Sequence, residues 1–149
     1  MAVNPIPEGY HTVTPYLVVQ GAAKLIDFLK QAFDAKEIMR MPRPDGTIMH
    51  AEVRIGDSAV MMGDAWGEFK PMPGSIYLYV HDTDATYKRA LQAGATAVME
   101  PTNQFYGDRH ACVIDPVGNR WSIATHIEDV PPEELVRRAE AFMKQERQG

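Results

Sequence analysis

The chain repeats its own pattern at an offset of about 60 residues, and this repeat limits the folds open to it. Residues 14–19 (TPYLVV) align with residues 75–80 (SIYLYV), and both segments are rich in the β-branched and aromatic residues typical of strands. Each is followed by a helical pattern and then by three more strand-like segments. The sequence therefore predicts the order β-α-β-β-β twice.

The two helical patterns differ in their signals. The first places five apolar residues on one face, namely Leu25, Phe28, Leu29, Ala32 and Phe33. In the second, Asp82 is a candidate N-cap, Gly94 a candidate C-terminal stop, and the buried face is Tyr87, Ala90 and Leu91. One such unit cannot bury both its helix and its sheet, so two units must share a core.

These patterns predict a single domain over residues 10–128, made of unit one (10–64) and unit two (74–128). A linker rich in Gly and Pro, residues 63–74, joins the units. Residues 131–147 predict a C-terminal helix, which starts at two prolines and carries an apolar stripe of Leu135, Ala139 and Phe142. We expect that stripe to pack on the sheet or on another subunit.

Composition excludes several classes of partner. The net charge is −5 and no cluster of Lys and Arg is present, which argues against nucleic acid or an acidic membrane surface. The apolar runs are much shorter than the roughly 20 residues of a membrane span, and the first residues lack the pattern of a signal peptide. The single cysteine, Cys112, cannot form an internal disulfide, so we expect a cytoplasmic protein.

Three segments resemble the vicinal oxygen chelate superfamily of glyoxalases, bleomycin-resistance proteins and dioxygenases. They are YGDRHACVIDPVGNRWSIATHIED (106–129, with its DPVGNRW turn), TPYLVVQGAAKLIDFLKQAF (14–33) and VHDTDATYKRALQAGA (80–95). The resemblance covers residues 10–128 and is greatest to an uncharacterised glyoxalase-like branch. It implies an α+β fold, in which two paired βαβββ units form U-shaped mixed sheets around a ligand site.

The resemblance also implies where metal ligands would lie. The ligand positions of metal-dependent relatives fall on Thr14, Ser75 and Ser122, and the remaining one near His50. Neutral hydroxyl groups are poor ligands for zinc, nickel or manganese, which bind imidazole, carboxylate or thiolate. The standard metal site is therefore predicted to be lost, and no cofactor is expected. A divalent metal would require an unorthodox set of His50, Glu52 and His110.

Strand parity selects the candidate site residues, because alternate residues share a face. His50 shares its face with Ile48, Glu52 and Arg54, and the face of His110 includes Cys112. The candidate catalytic residues are His50, Glu52 and His110, and the candidate ligand-binding residues are Thr14, Ser75, Tyr77, Arg109, Cys112 and Ser122. One cavity is expected to be lined by seven of them, namely Thr14, His50, Glu52, Ser75, Tyr77, His110 and Ser122.

Each candidate also has a structural interpretation that the sequence leaves open. Either histidine could be hydrogen-bonded scaffold, and Glu52 could form an ion pair with Arg54 or Arg109. Cys112 is a small buried apolar residue or a reactive thiolate near His110, and Tyr77 stacks on a ligand or fills the core.

Further alternatives concern the loops and the last strand. Arg109 either pairs with Asp108 or points at a ligand anion, whereas Trp121 has the opposite parity to Ser122 and should lie under a helix. Trp66 and Phe69 suit a mobile lid or a dimer contact.

Three functions are compatible with these patterns. The leading hypothesis is a metal-free protein of this superfamily that binds or modifies an apolar or aromatic small molecule. The second is a metal-dependent enzyme, a lyase or isomerase of the glyoxalase I type or a dioxygenase, and the third is a non-enzymatic interaction module. All three expect a homodimer, because the exposed sheet edges need a cover.

Overall fold

The computed structural model describes residues 2–148, which form eight strands and three helices. In chain order these elements are β1 (Tyr16–Val19), α1 (Ala22–Phe33), β2 (Lys36–Pro42), β3 (Ile48–Ile55), β4 (Ser58–Asp64), β5 (Ser75–Tyr79), α2 (Thr83–Gln92), β6 (Thr96–Asn103), β7 (Asp108–Ile114), β8 (Arg120–His126) and α3 (Pro132–Gln148). The predicted succession of two β-α-β-β-β units and a C-terminal helix is confirmed.

The strands form two four-stranded mixed sheets, one in each unit. Their orders are β1-β4-β3-β2 and β5-β8-β7-β6, so the second sheet repeats the first strand for strand. The first strand of each unit pairs in parallel with the last, and the other pairs are antiparallel. The predicted α+β class with paired mixed sheets is therefore confirmed.

The core lies between the helices and one face of each sheet. All five apolar positions predicted for the buried face of α1 are buried, and α1 contacts α2 across the boundary between the units. Trp121 of β8 is fully buried, and its ring lies 5.0 Å from that of Phe33 at the end of α1. The expectation that Trp121 lies under a helix is confirmed. We call the opposite face of each sheet, away from the helices, its open face.

The DPVGNRW turn before β8 is organised by one buried carboxylate. Asp115 accepts hydrogen bonds from the backbone N–H of Val117 (2.9 Å) and Asn119 (3.0 Å), from the Asn119 side-chain amide (3.0 Å) and from the Trp121 indole (2.8 Å). The Asn119 side-chain oxygen accepts a further bond from the N–H of Gly74 at 2.9 Å. The motif therefore fixes the turn to Trp121 in the core and to the start of β5.

A β-bulge in β3 changes the parity predicted for that strand. Met41 pairs with His50, but its neighbour Pro42 pairs with Ile48, so Met49 is the extra residue. Ile48 consequently lies in the hydrophobic core, 2% exposed, whereas His50 lies on the open face. The prediction that Ile48 shares the face of His50 was wrong, because a bulge shifts alternation by one residue.

The linker and the C-terminal helix lie at the surface. Trp66 and Phe69 exchange backbone hydrogen bonds in a short hairpin, and Met72 bridges to Val18 of β1. Phe142, from the predicted stripe of α3, contacts Phe105 with ring centres 5.1 Å apart, but no residue of α3 is buried within the described part of the chain. None of the helices formed by residues 2–148 combines the length and the apolar character needed to cross a membrane.

Candidate functional site

The repeat places a tyrosine beside a histidine on the open face of each sheet. Tyr16 of β1 and His50 of β3 have ring centres 5.6 Å apart, and the Tyr16 hydroxyl lies 3.2 Å from His50 Nδ1. Tyr77 of β5 stacks on His110 of β7 with ring centres 5.4 Å apart and planes inclined by 3°. Tyr16 was not among the predicted site residues, although the alignment of residues 14–19 with 75–80 places it opposite Tyr77.

In unit one, the histidine belongs to a chain of hydrogen bonds. His50 Nε2 lies 2.6 Å from Glu52 Oε2, and the hydroxyl of Tyr10 donates to Glu52 Oε1. Glu52 is 8% exposed, because the segment before β1 covers it. The predicted ion pairs of Glu52 with Arg54 or Arg109 are not formed, since Arg54 donates to the carbonyl of Gly9 instead.

In unit two, the corresponding tyrosine is held by a buried carboxylate. Asp108 Oδ2 accepts from the hydroxyls of Tyr77 (2.7 Å) and Tyr79 (2.9 Å), and its Oδ1 lies 2.9 Å from His126 Nδ1. Burial raises the pKa of Asp108, but the hydrogen bonds from His126, Tyr77 and Tyr79 outweigh it and leave this pKa below its usual value. Asp108 was not predicted as a site residue.

His110 differs from its repeat mate in having no such chain behind it. Its Nε2 is buried and has no hydrogen-bond partner within residues 2–148. Burial lowers the pKa of His110, so the neutral imidazole is favoured in the folded state. Because the folded state disfavours the protonated ring, His110 makes the protein more stable above pH 6.5, the ordinary pKa of histidine. This stability is lost as the pH falls through the folded-state pKa.

A cavity of about 590 Å³ opens on unit one beside Tyr16. Its lining is mostly apolar and comprises Tyr16, Val18, Arg43, Met49, Gly63, Asp64, Trp66 and Phe69. The hairpin of the linker supplies two aromatic walls that are largely exposed, with Trp66 at 64% and Phe69 at 67%. The bulge at Met49 and the linker hairpin therefore create a site of the size and character of a small-molecule pocket.

The two charged residues of this cavity have different environments. The Asp64 carboxylate accepts three backbone N–H groups, from Gly21 (2.7 Å), Ala22 (2.9 Å) and Ile48 (2.7 Å). Burial raises the pKa of Asp64, but these bonds outweigh it and leave the pKa below its usual value. The Arg43 guanidinium lies over the Trp66 ring, 5.6 Å from its centre, and is the charge available to a ligand.

The structure places several predicted ligand-binding residues elsewhere. The Thr14 hydroxyl donates to the carbonyl of His11, and Thr14 borders a separate cavity of about 230 Å³ between the units. Arg109 binds Asp84 of α2 with two hydrogen bonds of 2.6 and 3.0 Å, so the pairing with Asp108, one of its two predicted alternatives, is not formed. Because Thr83 of α2 donates to the Arg109 carbonyl, this part of β7 is tied to the helix.

The remaining candidates share the open face of unit two. Tyr77, Ser122 and Cys112 lie opposite one another on β5, β8 and β7, with Cys112 only 4% exposed. Ser75 is exposed at the start of β5. The predicted residues therefore divide between two open faces, His50 and Glu52 on one and Ser75, Tyr77, His110, Cys112 and Ser122 on the other, whereas we expected one cavity.

The donor atoms of these faces do not fit a metal ion within one chain. Among residues 2–148, no group of three or more His, Cys, Asp and Glu side chains is arranged to hold one. His50 and Glu52 bind each other on one sheet, whereas His110 lies on the other sheet, against Tyr77. The unorthodox set of His50, Glu52 and His110 therefore does not converge within the chain.

The imidazole of His126 should titrate above the ordinary histidine pKa. Hydrogen bonds to Asp129 (2.7 Å from Nε2) and to Asp108 raise this pKa, because the protonated ring donates to both carboxylates. The stabilisation is complete below pH 6.5 and is lost as the pH rises through the folded-state pKa. We expect an NMR titration to give a midpoint above 6.5, and Asp129→Asn to lower it.

The exposed Asp34 in unit one provides a matched control for this titration. Asp34→Asn also removes one surface carboxylate, at a left-handed position that asparagine tolerates, and should leave the His126 midpoint unchanged. A wild-type midpoint at or below 6.5 would contradict the two hydrogen bonds.

Comparisons with known proteins agree with this architecture. The family model described as the Glyoxalase/Bleomycin resistance protein/Dioxygenase superfamily matches residues 10–123. An uncharacterized protein of Mycobacterium bovis is 40% identical over 146 residues, with 91% of this chain and 93% of the relative covered.

Several solved structures share the fold. TioX from Micromonospora sp. ML1 superimposes with a TM-score of 0.68 at 24% identity, covering 78% of this chain and 99% of that one. TnmS3, an antibiotic binding protein from Streptomyces sp. CB03234, gives a TM-score of 0.63 at 22% identity, covering 85% and 98%.

Proposed function

Because the chain belongs to the glyoxalase/bleomycin resistance protein/dioxygenase superfamily, we propose that it binds a small aromatic molecule in unit one without a resident metal ion. The observation that supports this proposal most directly is the cavity of about 590 Å³ lined by Tyr16, Met49, Trp66 and Phe69. Aromatic walls and a polarisable methionine suit a flat apolar ligand. The fold shared with TnmS3, an antibiotic binding protein, is compatible with this role.

The charge at the cavity indicates which aromatic molecules would bind best. The Asp64 carboxylate already accepts three backbone N–H groups, so little of its hydrogen-bonding capacity remains for a ligand. Arg43 is anchored by a hydrogen bond of 3.2 Å to the Thr47 hydroxyl, and its guanidinium lies over Trp66. An aromatic compound with an acidic group could stack on the walls and pair with Arg43.

Binding can be measured with 8-anilinonaphthalene-1-sulfonate, a probe that is both aromatic and anionic. We expect isothermal titration calorimetry to give one site per chain. Trp66→Ala and Phe69→Ala should each weaken binding about tenfold, because each removes one stacking wall worth about 1.4 kcal/mol. Arg43→Gln should weaken it by a smaller factor that shrinks with added salt.

The matched control removes an exposed phenyl group elsewhere. Phe142 of α3 is 40% exposed and lies outside the cavity, so Phe142→Ala should leave the dissociation constant unchanged. Equal losses in Phe142→Ala and Phe69→Ala would indicate non-specific surface binding and contradict the proposal. One equivalent of transition metal retained by the purified protein after dialysis would contradict its metal-free part.

We further propose that the protein works as a homodimer. The outer strands β2 and β6 expose several large apolar residues, namely Ile38, Met41, Val98 and Met99, at 38–49%. Such edge strands need a cover. A second copy of the chain can supply it, because a two-fold axis brings the same surface of both copies together. A cytoplasmic location also stays a prediction.

Light scattering coupled to size exclusion tests the assembly. We expect about twice the chain mass of 16.7 kDa at micromolar concentration. Ile38→Lys together with Val98→Lys should shift the protein toward the monomer, because the charges oppose burial of both edges. A monomeric wild-type protein would contradict the dimer.

A further inference from the structure

We propose that Tyr16 is a proton-transfer residue, backed by His50 and Glu52, so that unit one carries general acid–base chemistry as well as binding. The observation is the continuous hydrogen-bonded line that runs from a buried carboxylate through an imidazole to a hydroxyl at the cavity wall. This activity goes beyond the proposed binding function, although it would act on a molecule held in the same cavity.

The donors and acceptors along this line fix its direction. A carboxylate can only accept, and that of Glu52 accepts from Tyr10 at Oε1 and from His50 Nε2–H at Oε2, 2.6 Å away. In the neutral imidazole, Nδ1 is then the acceptor, and it lies 3.2 Å from the hydroxyl of Tyr16. The Tyr16 hydroxyl therefore donates toward His50, which leaves its oxygen free to accept a proton.

Solvent exposure increases along this hydrogen-bonded line, so the residue that would meet a bound molecule is the most accessible one. The Glu52 side chain is 11% exposed and that of His50 19%, whereas Tyr16 is 48% exposed and borders the cavity. Gly63 lies beneath the tyrosine, and a Cβ there would come within 2.6 Å of the Met49 carbonyl oxygen and 3.1 Å of the Tyr16 hydroxyl. The glycine thus allows this close approach of ring and backbone.

In unit two, the corresponding pair of Tyr77 and His110 lacks this hydrogen-bonded line. Tyr77 donates to Asp108 and not to its histidine partner, and His110 Nε2 has no hydrogen-bond partner within the described residues. The position of Glu52 is taken in unit two by Cys112, at the repeat offset of about 60 residues. The relay is therefore a property of unit one, and the repeat provides an internal contrast.

The proposed step balances without an oxidant or reductant. A proton leaves a C–H or O–H group of the bound molecule for the Tyr16 oxygen, while the proton of Tyr16 passes to His50 Nδ1. The electron pair of the broken bond stays on the bound molecule, and the new imidazolium lies beside the Glu52 carboxylate. Return of the proton along the same path restores the tyrosine.

The probe 5-nitrobenzisoxazole tests this step. Removal of its ring C–H proton by a base forms a nitrile, breaks the N–O bond and releases a coloured phenolate. We expect saturable turnover by the wild-type protein, and about a 100-fold lower kcat in Tyr16→Phe and in Glu52→Gln, with KM within about twofold. Tyr87→Phe, which removes a tyrosine hydroxyl on α2, should leave both constants unchanged.

Nitrogen NMR of His50 provides a readout that does not depend on turnover. We expect the Nε2–H tautomer in the wild-type protein and its loss in Glu52→Ala, which removes the acceptor of this N–H group. A wild-type kcat no higher than that of Tyr16→Phe, or an Nδ1–H tautomer in the wild-type protein, would overturn the relay. Calorimetry with 8-anilinonaphthalene-1-sulfonate on the same variants separates the two proposals, since normal binding with an unchanged kcat in Tyr16→Phe overturns the relay alone.

Discussion

Asp115→Ala should lower the free energy of unfolding by about 3–5 kcal/mol, among the largest effects of any single substitution in this chain. The carboxylate serves four donors at 2.8–3.0 Å, and Asn119 and Trp121, which supply three of them, are both 0% exposed. Alanine would leave these buried N–H groups without partners, and water cannot replace the lost acceptor around a fully buried indole.

Chemical denaturation with urea measures this loss. Asp57, in the tight turn that connects β3 and β4, is the exposed aspartate at the related place in unit one, and it hydrogen-bonds only Ser58 among the described residues. Asp57→Ala should therefore change stability by no more than about 0.5 kcal/mol. A loss below about 1 kcal/mol in Asp115→Ala would show that the turn does not depend on its carboxylate.

Gly107→Ala should cost about 3 kcal/mol or more and loosen the segment that leads to α3. Gly107 has a φ of +101°, and a Cβ there would collide with the Glu128 carbonyl oxygen, a backbone atom. The Gly107 carbonyl also accepts from the N–H groups of Ile127 (2.8 Å) and Glu128 (3.1 Å). A displaced Gly107 would therefore release both bonds at the end of β8.

The substitution Gly118→Ala distinguishes the two causes of this effect, backbone strain and the collision of the added Cβ. The φ of Gly118 is +98°, but a Cβ there would meet nothing within 4 Å, so Gly118→Ala carries the backbone strain without the collision. We expect it to cost about 1 kcal/mol. Hydrogen exchange should show faster exchange of the Ile127 and Glu128 amides in Gly107→Ala only, and equal costs at the two glycines would contradict the close contact.

Much of the fold could be predicted from the sequence, because repeat and periodicity are local signals. The offset between residues 14–19 and 75–80 predicts two equivalent units, and the spacing of apolar residues predicts the buried face of α1. Parity alone separates Trp121, which lies against Phe33, from Ser122 on the open face. Asp82 was also predicted as a cap, and it accepts from the N–H of Ala85 at 3.0 Å.

The site was harder to predict, because its contacts depend on the path of the chain between elements. Tyr10 reaches Glu52 from 42 residues away, and no periodic pattern links them. The bulge at Met49 moves Ile48 into the core, although simple alternation places it beside His50. Arg109 pairs with Asp84 of α2 because β7 and α2 are adjacent in space, whereas its sequence neighbour Asp108 points to the open face.

Strand parity also could not predict whether the candidate residues would line a single cavity. Alternation assigns a residue to a face of its own sheet, but it does not say which sheet that face will oppose. In this chain His50 and His110 lie on open faces of different sheets, and the aromatic cavity beside Tyr16 is completed by the linker residues Trp66 and Phe69. The conformation of the linker, which alternation does not predict, therefore determines where the cavity forms.

The two tryptophans make the binding claim directly measurable. Trp66 lies at the cavity and is 64% exposed, whereas Trp121 is fully buried and donates its indole N–H to Asp115. In a titration of the nitrogen-labelled protein with 8-anilinonaphthalene-1-sulfonate, the indole signal of Trp66 should move until one equivalent is bound, while that of Trp121 stays in place. A saturable calorimetric signal with an unmoved Trp66 indole would contradict a ligand site on the open face of unit one.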